Sequence, residues 1–434
     1  MHIILFAFIA LVTTLLIGVP IPFAFFASSI VVVILGGYDP SFLLPYGYAQ
    51  ASSIILVAIP LFILAGGLME RGGIGERLVE VVEVLVGRVR GGLGAVMVIS
   101  CAIFGAISGS GFATVSCIGS IMLPRMYRAG YPRGHCSALI ASAGVLGLLI
   151  PPSLTMILYA WVGGTSVLAS FLATVTPGVT LVILFSIINL ILLRNNKEIT
   201  VTENYDFLTT LKVFNKKAIS ATPAIIAPAI ILGGIYGGVM TPTEAAAMSC
   251  LYAIPVGFFI YKGLTWREFY DTLLNSVNTA GVILIMLLSV MVLSRLYIME
   301  NVPQQLMALF SAVSDNPIVI LLMLNVFMVL IGMLMDDISA ILLCTPILLP
   351  IVTQLGVTPV QFAAIIGVNL GMGCITPPCA PFLYLAGRIG GAPVNEMLKT
   401  TFALIFFAWI PTLLLATFVP GFSLWLPRLV LGIQ

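Results

Sequence analysis

"NLGMGCITPPCAP", Asn369 to Pro381, sets two glycines and the adjacent prolines Pro377 and Pro378 inside a strongly apolar region. Proline has no amide hydrogen and its ring clashes with the preceding turn, so a helix reaching this point breaks or kinks. A lone diproline reads as a kink. The chain, however, carries a second one, in "GVLGLLIPPS", Gly144 to Ser153. At an offset of 226, Pro151 and Pro152 fall on Pro377 and Pro378, and Gly147 falls on Gly373. "IMLP" (Ile121–Pro124) falls on "ILLP" (Ile347–Pro350), so 27 positions separate Pro124 from Pro151 and Pro350 from Pro377. The same offset carries Ser110 onto Asp336. The break is therefore part of a repeat.

Composition says where the repeat resides. Of 434 residues, 60% are hydrophobic and 8% are charged, against about 25% charged in soluble domains. Apolar runs of roughly 17–25 residues are long enough to cross about 30 Å of hydrocarbon as helices. Continuous runs, rather than alternating ones, exclude a β-barrel. The expected class is an all-α polytopic membrane protein. A net charge of +2 with no basic stripe gives no sign of a nucleic-acid partner. The seven cysteines lie in or beside apolar runs without a CxxC pair, as inert buried thiols do, and His2 and His135 are too few for a typical transition-metal site. The first segment has neither a basic n-region nor an A-x-A site and reads as a retained span.

Apolar runs cover 2–35, 51–70, 92–124, 135–163, 167–193, 219–239, 244–261, 276–298, 318–350, 362–387 and 400–420. Lysine and arginine gather around 71–90, 125–133, 194–217, 262–267 and 388–399, which the positive-inside rule places in the cytoplasm. Segments 36–50, 301–317 and 351–361 have neither residue and face outward. Segment 92–124 thus begins and ends inside, is too short for two spans, and has "GAISGSGFATVS" (Gly105–Ser116) at its middle. It reads as a re-entrant helical hairpin. Segment 318–350 begins and ends outside around "GMLMDDISA" (Gly332–Ala340) and reads as a second hairpin from the opposite face. Arg295 and Arg428 break the charge pattern; Arg295 is expected to snorkel or to pair inside the bundle. Segment 71–90 mixes Val79, Val82 and Val86 with Glu76, Arg77, Glu80, Glu83 and Arg88. It reads as an amphipathic arm helix in the interface plane, the alternative being a solvated connector. Residues 300–314 are a weaker counterpart.

Each half holds two lead segments, a hairpin, a broken span and a closing span. The first inverted repeat is 1–193 (arm 71–90, hairpin 92–124, broken span 135–163), followed by a linker and connecting span at 194–243. The second is 244–434, with hairpin 318–350 and broken span 362–387. The connecting crossing inverts the second repeat. Inverted repeats with discontinuous helices at mid-depth characterise secondary transporters.

Carbonyls freed by the breaks are costly in lipid unless they line a cavity or hold an ion. Oxygens around Gly147, Ile150 and Pro152, with Ser108 and Ser110, form one neutral cage. Gly373, Thr376 and Pro378 with the Asp336–Ser339 turn form the other. Sodium suits such hard ligands, and half-helix N-termini at the tips suit a carboxylate. Asp336 and Asp337 are ionisable groups in an apolar run, a functional signal by default; for Asp337 helix capping or structural pairing is the equal alternative. Glu244 after Thr241 reads as N-terminal capping in preference to substrate contact. No P-loop, HExxH or partnered GxSxG is present, so an enzyme is not expected.

"SGSGFATVSCIG", "GLLIPPS", "GGIYGGVMTPTEAAA", "GMLMDDISAILLCTPILLP" and "GMGCITPPCAP", in this order across the chain, resemble the large membrane subunit of tripartite ATP-independent periplasmic (TRAP) transporters, DctM/SiaM type. The resemblance implies an elevator-type transporter fold like that of the ion transporter superfamily, located in the bacterial inner membrane. It implies sodium-coupled uptake, with two or more sodium ions and no organic cofactor, of an organic acid (sialic acid or a C4-dicarboxylate). A periplasmic binding protein would deliver the substrate, and a separate small four-helix membrane subunit would accompany this chain. By position, Ser108, Ser110, Gly147, Ile150 and Pro152 would form one sodium site, and Gly373, Thr376 and Pro378 with the Asp336 turn the other. Ser108 and Ser153 are the candidates for touching substrate. The alternatives are a proton-coupled or exchange transporter using Asp336 or Asp337 and, from another class, an intramembrane enzyme or receptor.

Overall fold

The structure is a computed structural model describing residues 2–86, 91–196, 198–199 and 207–432. Among these residues it is entirely helical. Eight helices are long and apolar enough to cross a membrane, and a ninth span bends by 45° between Arg133–Leu149 and Leu154–Gly163.

Helix–turn–helix pairs form at both expected hairpins, although each arm of the second is 18 residues long, enough to cross a membrane rather than to re-enter from one face. The first pairs Gly92–Ser108 with Gly111–Arg128, the second Pro317–Leu334 with Asp337–Gln354. Their turns use different chemistry. Gly109 ends its helix at φ +62° and donates its N–H to Gly105 O at 2.8 Å. A Cβ there would also lie 2.9 Å from Pro152 O, so only glycine fits. The second turn passes through Met335 and Asp336 in extended conformation and needs no glycine. The helices that follow are capped at equivalent places. Ser110 Oγ accepts from Ala113 N at 3.4 Å, and Asp336 Oδ2 accepts from Ser339 N at 3.4 Å.

Both diprolines break their spans. The first runs as Arg133–Gly144 and Leu146–Leu149, unwinds over 150–153, and resumes as Leu154–Gly163. The second runs as Pro359–Gly373, unwinds over 374–380, and resumes as Pro381–Gly390. Both Pro–Pro bonds are cis. The leading half of each broken span packs on its own hairpin through a glycine pair. A Cβ on Gly105 would lie 2.6 Å from Gly147 Cα, and one on Gly373 would lie 2.7 Å from Gly332 Cα. The trailing half crosses to the other hairpin. Leu154–Gly163 packs on Asp337–Gln354, and Pro381–Gly390 packs on Gly111–Arg128, where Phe112 and Phe382 stack at 4.4 Å. The two repeats are thus interlocked at the breaks.

The arm helix, Ile74–Val86, begins three residues later than expected because Arg71 ends the preceding helix; positions 87–90 lie outside the described residues, as do Lys197 and the linker at 200–206. Ile74, Leu78, Val79 and Val82 are buried, against the first hairpin and the connecting helix Phe207–Tyr236. On its other side Glu76 and Glu83 pair with Arg125 of the hairpin at 3.4 and 3.2 Å. These pairs are partly exposed, so each contributes at most about 1 kcal/mol. Val302–Ser311 is the counterpart arm and packs on the second hairpin.

Several elements differ from the sequence expectation. The run 2–35 is two packed helices, His2–Leu16 and Ile21–Gly36, because "IGVP" places Gly18 at φ +88° ahead of Pro20. The short helix Leu43–Ala51 and the terminal helix Pro420–Leu431 escaped the apolar-run reading. The latter is tied to Val167–Leu193 through Trp425 Nε1 to Thr176 Oγ1 at 2.8 Å. Arg295 is exposed, with its guanidinium 5.6 Å from the Tyr46 ring centre. Among the described residues this cation–π contact, not a carboxylate, is the partner that the structure gives it.

The glycine pairs make a stability prediction. Gly105→Ala should destabilise by about 1–3 kcal/mol, the usual cost of overpacking, and lower the melting temperature in detergent. Gly281→Ala, where a Cβ meets nothing within 4 Å, should leave it unchanged or raise it through better helix propensity. Equal responses would mean that the close approach at Gly105 and Gly147 does not bear on stability.

Candidate functional site

At the first break the backbone pairing is incomplete. Ile150 N donates to Leu146 O at 2.8 Å, and Leu154 N crosses to the hairpin turn at Gly109 O, 3.1 Å. Among the described residues no donor reaches Ile150 O or Pro152 O. At the second break Thr376 N donates to Gly373 O at 2.9 Å, Thr376 Oγ1 donates to Met372 O at 2.7 Å, and Cys379 N reaches Met333 O of the hairpin at 3.3 Å. No described donor reaches Thr376 O or Pro378 O. Each break is therefore sewn to its own hairpin tip by one main-chain bond and keeps unpaired carbonyls beside it. Carbonyl and hydroxyl oxygens are ligands for hard cations. Among the described residues no group of three or more His, Cys, Asp or Glu could hold a transition metal.

Some of the expected cation ligands are brought together. Ser108 is buried; its hydroxyl accepts from Ser110 N and lies 3.3 Å from Thr114 Oγ1. Ser110 O and Thr114 Oγ1 are the atoms closest to a Cβ built on Gly147, so Ser108, Ser110 and Gly147 form one continuous patch. In the second repeat the Ser339 hydroxyl bonds to Asp336, with Met286 Sδ 2.8 Å away. Asp337 bonds across the repeats. It is buried, and its Oδ2 accepts from Thr155 Oγ1 at 3.2 Å. Its Oδ1 is buried without a partner. Capping falls to Asp336, which leaves Asp337 facing the trailing half of the first broken span.

Ser153 is fully buried, donates to Leu148 O at 2.6 Å and accepts from Met156 N at 3.4 Å. It is the N-cap of the trailing half-helix. Its positional equivalent, Cys379, is exposed, and the second half-helix begins instead at Ala380 with φ +34°. Pro152 is buried and Pro378 is exposed. The first break is sealed and the second open. Glu244 lies apart from both breaks and forms the expected capping box, accepting from Thr241 N at 2.7 Å while Glu244 N donates to Thr241 Oγ1 at 3.3 Å.

One polar feature near the second break was not anticipated. Asn369 donates to Asn325 Oδ1 at 2.9 Å, Asn325 donates to Thr417 Oγ1 at 3.0 Å, and Gln361 donates to the carbonyls of Ala416 and Thr417, each at 3.1 Å. These amides fasten the hairpin and the broken span to the closing span. Their presence in apolar runs was the available signal.

The comparisons with known proteins agree with this architecture. The family model "Tripartite ATP-independent periplasmic transporter, DctM component" matches residues 8–422. The chain belongs to the DctM family. This DctM-family chain is 34% identical to the isethionate TRAP transporter permease protein DctMQ of Oleidesulfovibrio alaskensis, over 93% of its own length and 62% of that relative's. It is 33% identical to the C4-dicarboxylate TRAP transporter large permease protein DctM of Pseudomonas aeruginosa (83% and 85% covered) and 33% identical to the sialic acid TRAP transporter large permease protein SiaM of Vibrio cholerae (83% and 83%). The solved YdaH transporter of Alcanivorax borkumensis shares the fold at a TM-score of 0.61 and 15% identity, with 86% of this chain and 87% of that chain covered. The family is one of transporter permeases, not enzymes.

The open break supplies its own reporter. Six of the seven cysteines are buried and Cys379 is exposed. A bulky hydrophilic maleimide should label the detergent-purified protein once, and Cys379→Ser should abolish labelling. Labelling that persists in this variant would place the opening elsewhere.

Proposed function

We propose that this chain is the large inner-membrane subunit of a TRAP transporter that takes up an organic anion, with sodium as the driving ion. The observation that carries the reading is the pair of unwound, oxygen-lined breaks, each joined to a hairpin tip in its own repeat and interlocked with the other. Neutral oxygens at mid-depth suit a weakly held monovalent cation, and the half-helix N-termini beside them suit a carboxylate. The relatives' names point to isethionate, C4-dicarboxylates and sialic acid, all organic anions. A sialic acid or C4-dicarboxylate substrate, a periplasmic binding protein and a small membrane subunit as a separate chain are part of the same proposal.

The movement we infer is of elevator type. The hairpins, broken spans and closing spans travel as one module against the helices Ile54–Arg71 and Trp266–Met299, with the arms as braces. Few polar side-chain bonds would have to be exchanged: Ser116 Oγ donates to Glu70 Oε1 at 3.1 Å, Ser339 Oγ lies 2.8 Å from Met286 Sδ, and Arg125 holds the arm through partly exposed ion pairs. Two sodium ions moving with one monoanion carry one net charge. At 100 mV that charge alone is worth about 2.3 kcal/mol, roughly fortyfold accumulation.

Asp337 supports a second reading. A buried carboxylate with one unpartnered oxygen beside the tip would serve equally as a proton carrier. Proteoliposomes containing the complete transporter with its binding protein separate the two. A sodium gradient at equal pH should drive uptake, and a pH gradient without sodium should not. The reverse result would replace sodium by a proton, and Asp337→Asn should then abolish uptake. Independently, sodium should raise the melting temperature of the purified chain, by linkage of about 2.7 kcal/mol at a hundred times Kd. Asp336→Asn and Thr376→Ala should each diminish that rise.

A further inference from the structure

A cleft of about 510 Å³ lies between the first turn of Arg133–Gly144, the end of Val167–Leu193 and Val394–Leu404. These ends adjoin the basic loops assigned to the cytoplasm. The transport reading makes no use of this place. Its lining holds the charged Arg133, Lys399 and Glu396 and the apolar Leu193, Ala403 and exposed Leu192. Arg133 comes from the first repeat and Lys399 from the second.

The cleft is held in shape from beneath. His135 is buried in its floor, with Nε2 3.0 Å from Asn189 Oδ1 and Nδ1 3.2 Å from Thr400 Oγ1. One imidazole therefore ties together the three helices that form the walls. Asn189 is fixed in turn by donating to Gly91 O at 2.8 Å. On the other side, a Cβ on Gly134 would lie 2.4 Å from Glu396 O, so Arg133–Gly144 and Val394–Leu404 start in backbone contact. The guanidinium of Arg133 sits 5.4 Å from the Tyr127 ring centre, which orients it without neutralising it. Against two cations the rim offers one carboxylate. The helix beginning at Arg133 has no side-chain cap, so its positive dipole end also points at the rim.

Two properties select the occupant. The rim is net positive, and the positive-inside rule puts these helix ends on the cytoplasmic side, whose leaflet carries anionic headgroups. The wall below it is apolar and continues onto exposed Ile191, Phe402 and Phe406 on the same helices. A soluble anion would use the rim only. A lipid uses both, with its phosphate at the cations and a chain along the slot. We propose that the cleft binds an anionic glycerophospholipid of the cytoplasmic leaflet, phosphate between Arg133 and Lys399, acyl chain against Leu192 and Ala403, clipping the cytoplasmic ends of the two repeats together.

The test uses the purified full-length chain in neutral detergent, with thermal shift and native mass spectrometry as separate readouts. Phosphatidylglycerol should raise the melting temperature and remain bound, while phosphatidylcholine and inorganic phosphate should do neither. The double variant Arg133→Gln/Lys399→Gln should weaken phosphatidylglycerol binding by about tenfold or more, each basic side chain near the surface being worth about 1 kcal/mol. Ala403→Trp fills the slot with both charges intact and should weaken it as well. Arg128→Gln, an exposed cation outside the cleft, should not. The proposal is overturned if the double variant retains full binding, if Arg128→Gln loses as much as the double variant, or if inorganic phosphate reproduces the shift. Because mass spectrometry counts bound lipid on the folded fraction, a variant that is merely less stable is distinguishable from one that has lost the site.

Discussion

A main-chain carbonyl in hydrocarbon has no water to accept from, and this structure is organised around the few that lack a helical donor. Two spans are interrupted by adjacent prolines, and at each interruption oxygens stand unpaired. Left facing lipid they would cost several kcal/mol apiece. The chain answers by tying each break to its own hairpin through a single main-chain hydrogen bond, largely burying the first break and partly covering the second, and the trailing half-helix of the same span then packs on the opposite hairpin. The glycine pairs, the capped second helices and the stacked phenylalanines all serve that enclosure.

Enclosure explains why chemistry and packing are hard to separate here. Ser110 is at once a helix cap, a neighbour of Gly147 and a source of oxygen. Asp336 does the corresponding work in the second repeat. Only Asp337 has a role that capping does not use up, since its one hydrogen bond spans the two repeats at Thr155 and its other oxygen is unsatisfied.

Much of this was legible from residue spacing. Diprolines 226 apart, with equal intervals to Pro124 and Pro350, give the duplication. Runs with a glycine, serine or aspartate break at their middle give the places where the two helix pairs turn. What stayed hidden follows from physics that spacing does not carry. Ser153 was a candidate for touching substrate, and spacing did not show that a half-helix starting at that point needs its first amides capped, which Ser153 supplies. The run 2–35 reads as one segment because glycine and proline at 18–20 are small beside its hydrophobicity, yet they turn the chain. The terminal helix lies at the edge of the apolar pattern and is revealed by the partner of Trp425. The amides of Asn325, Gln361 and Asn369 stood in plain view in apolar runs, but nothing in a linear pattern says which of them meet.

The two breaks share a pattern and differ in state. One is shut over Pro152 and Ser153; the other leaves Pro378 and Cys379 in the open. Two copies of one motif therefore offer unequal access: a solute approaching the later interruption meets exposed main chain, and one approaching the earlier meets packed side chains.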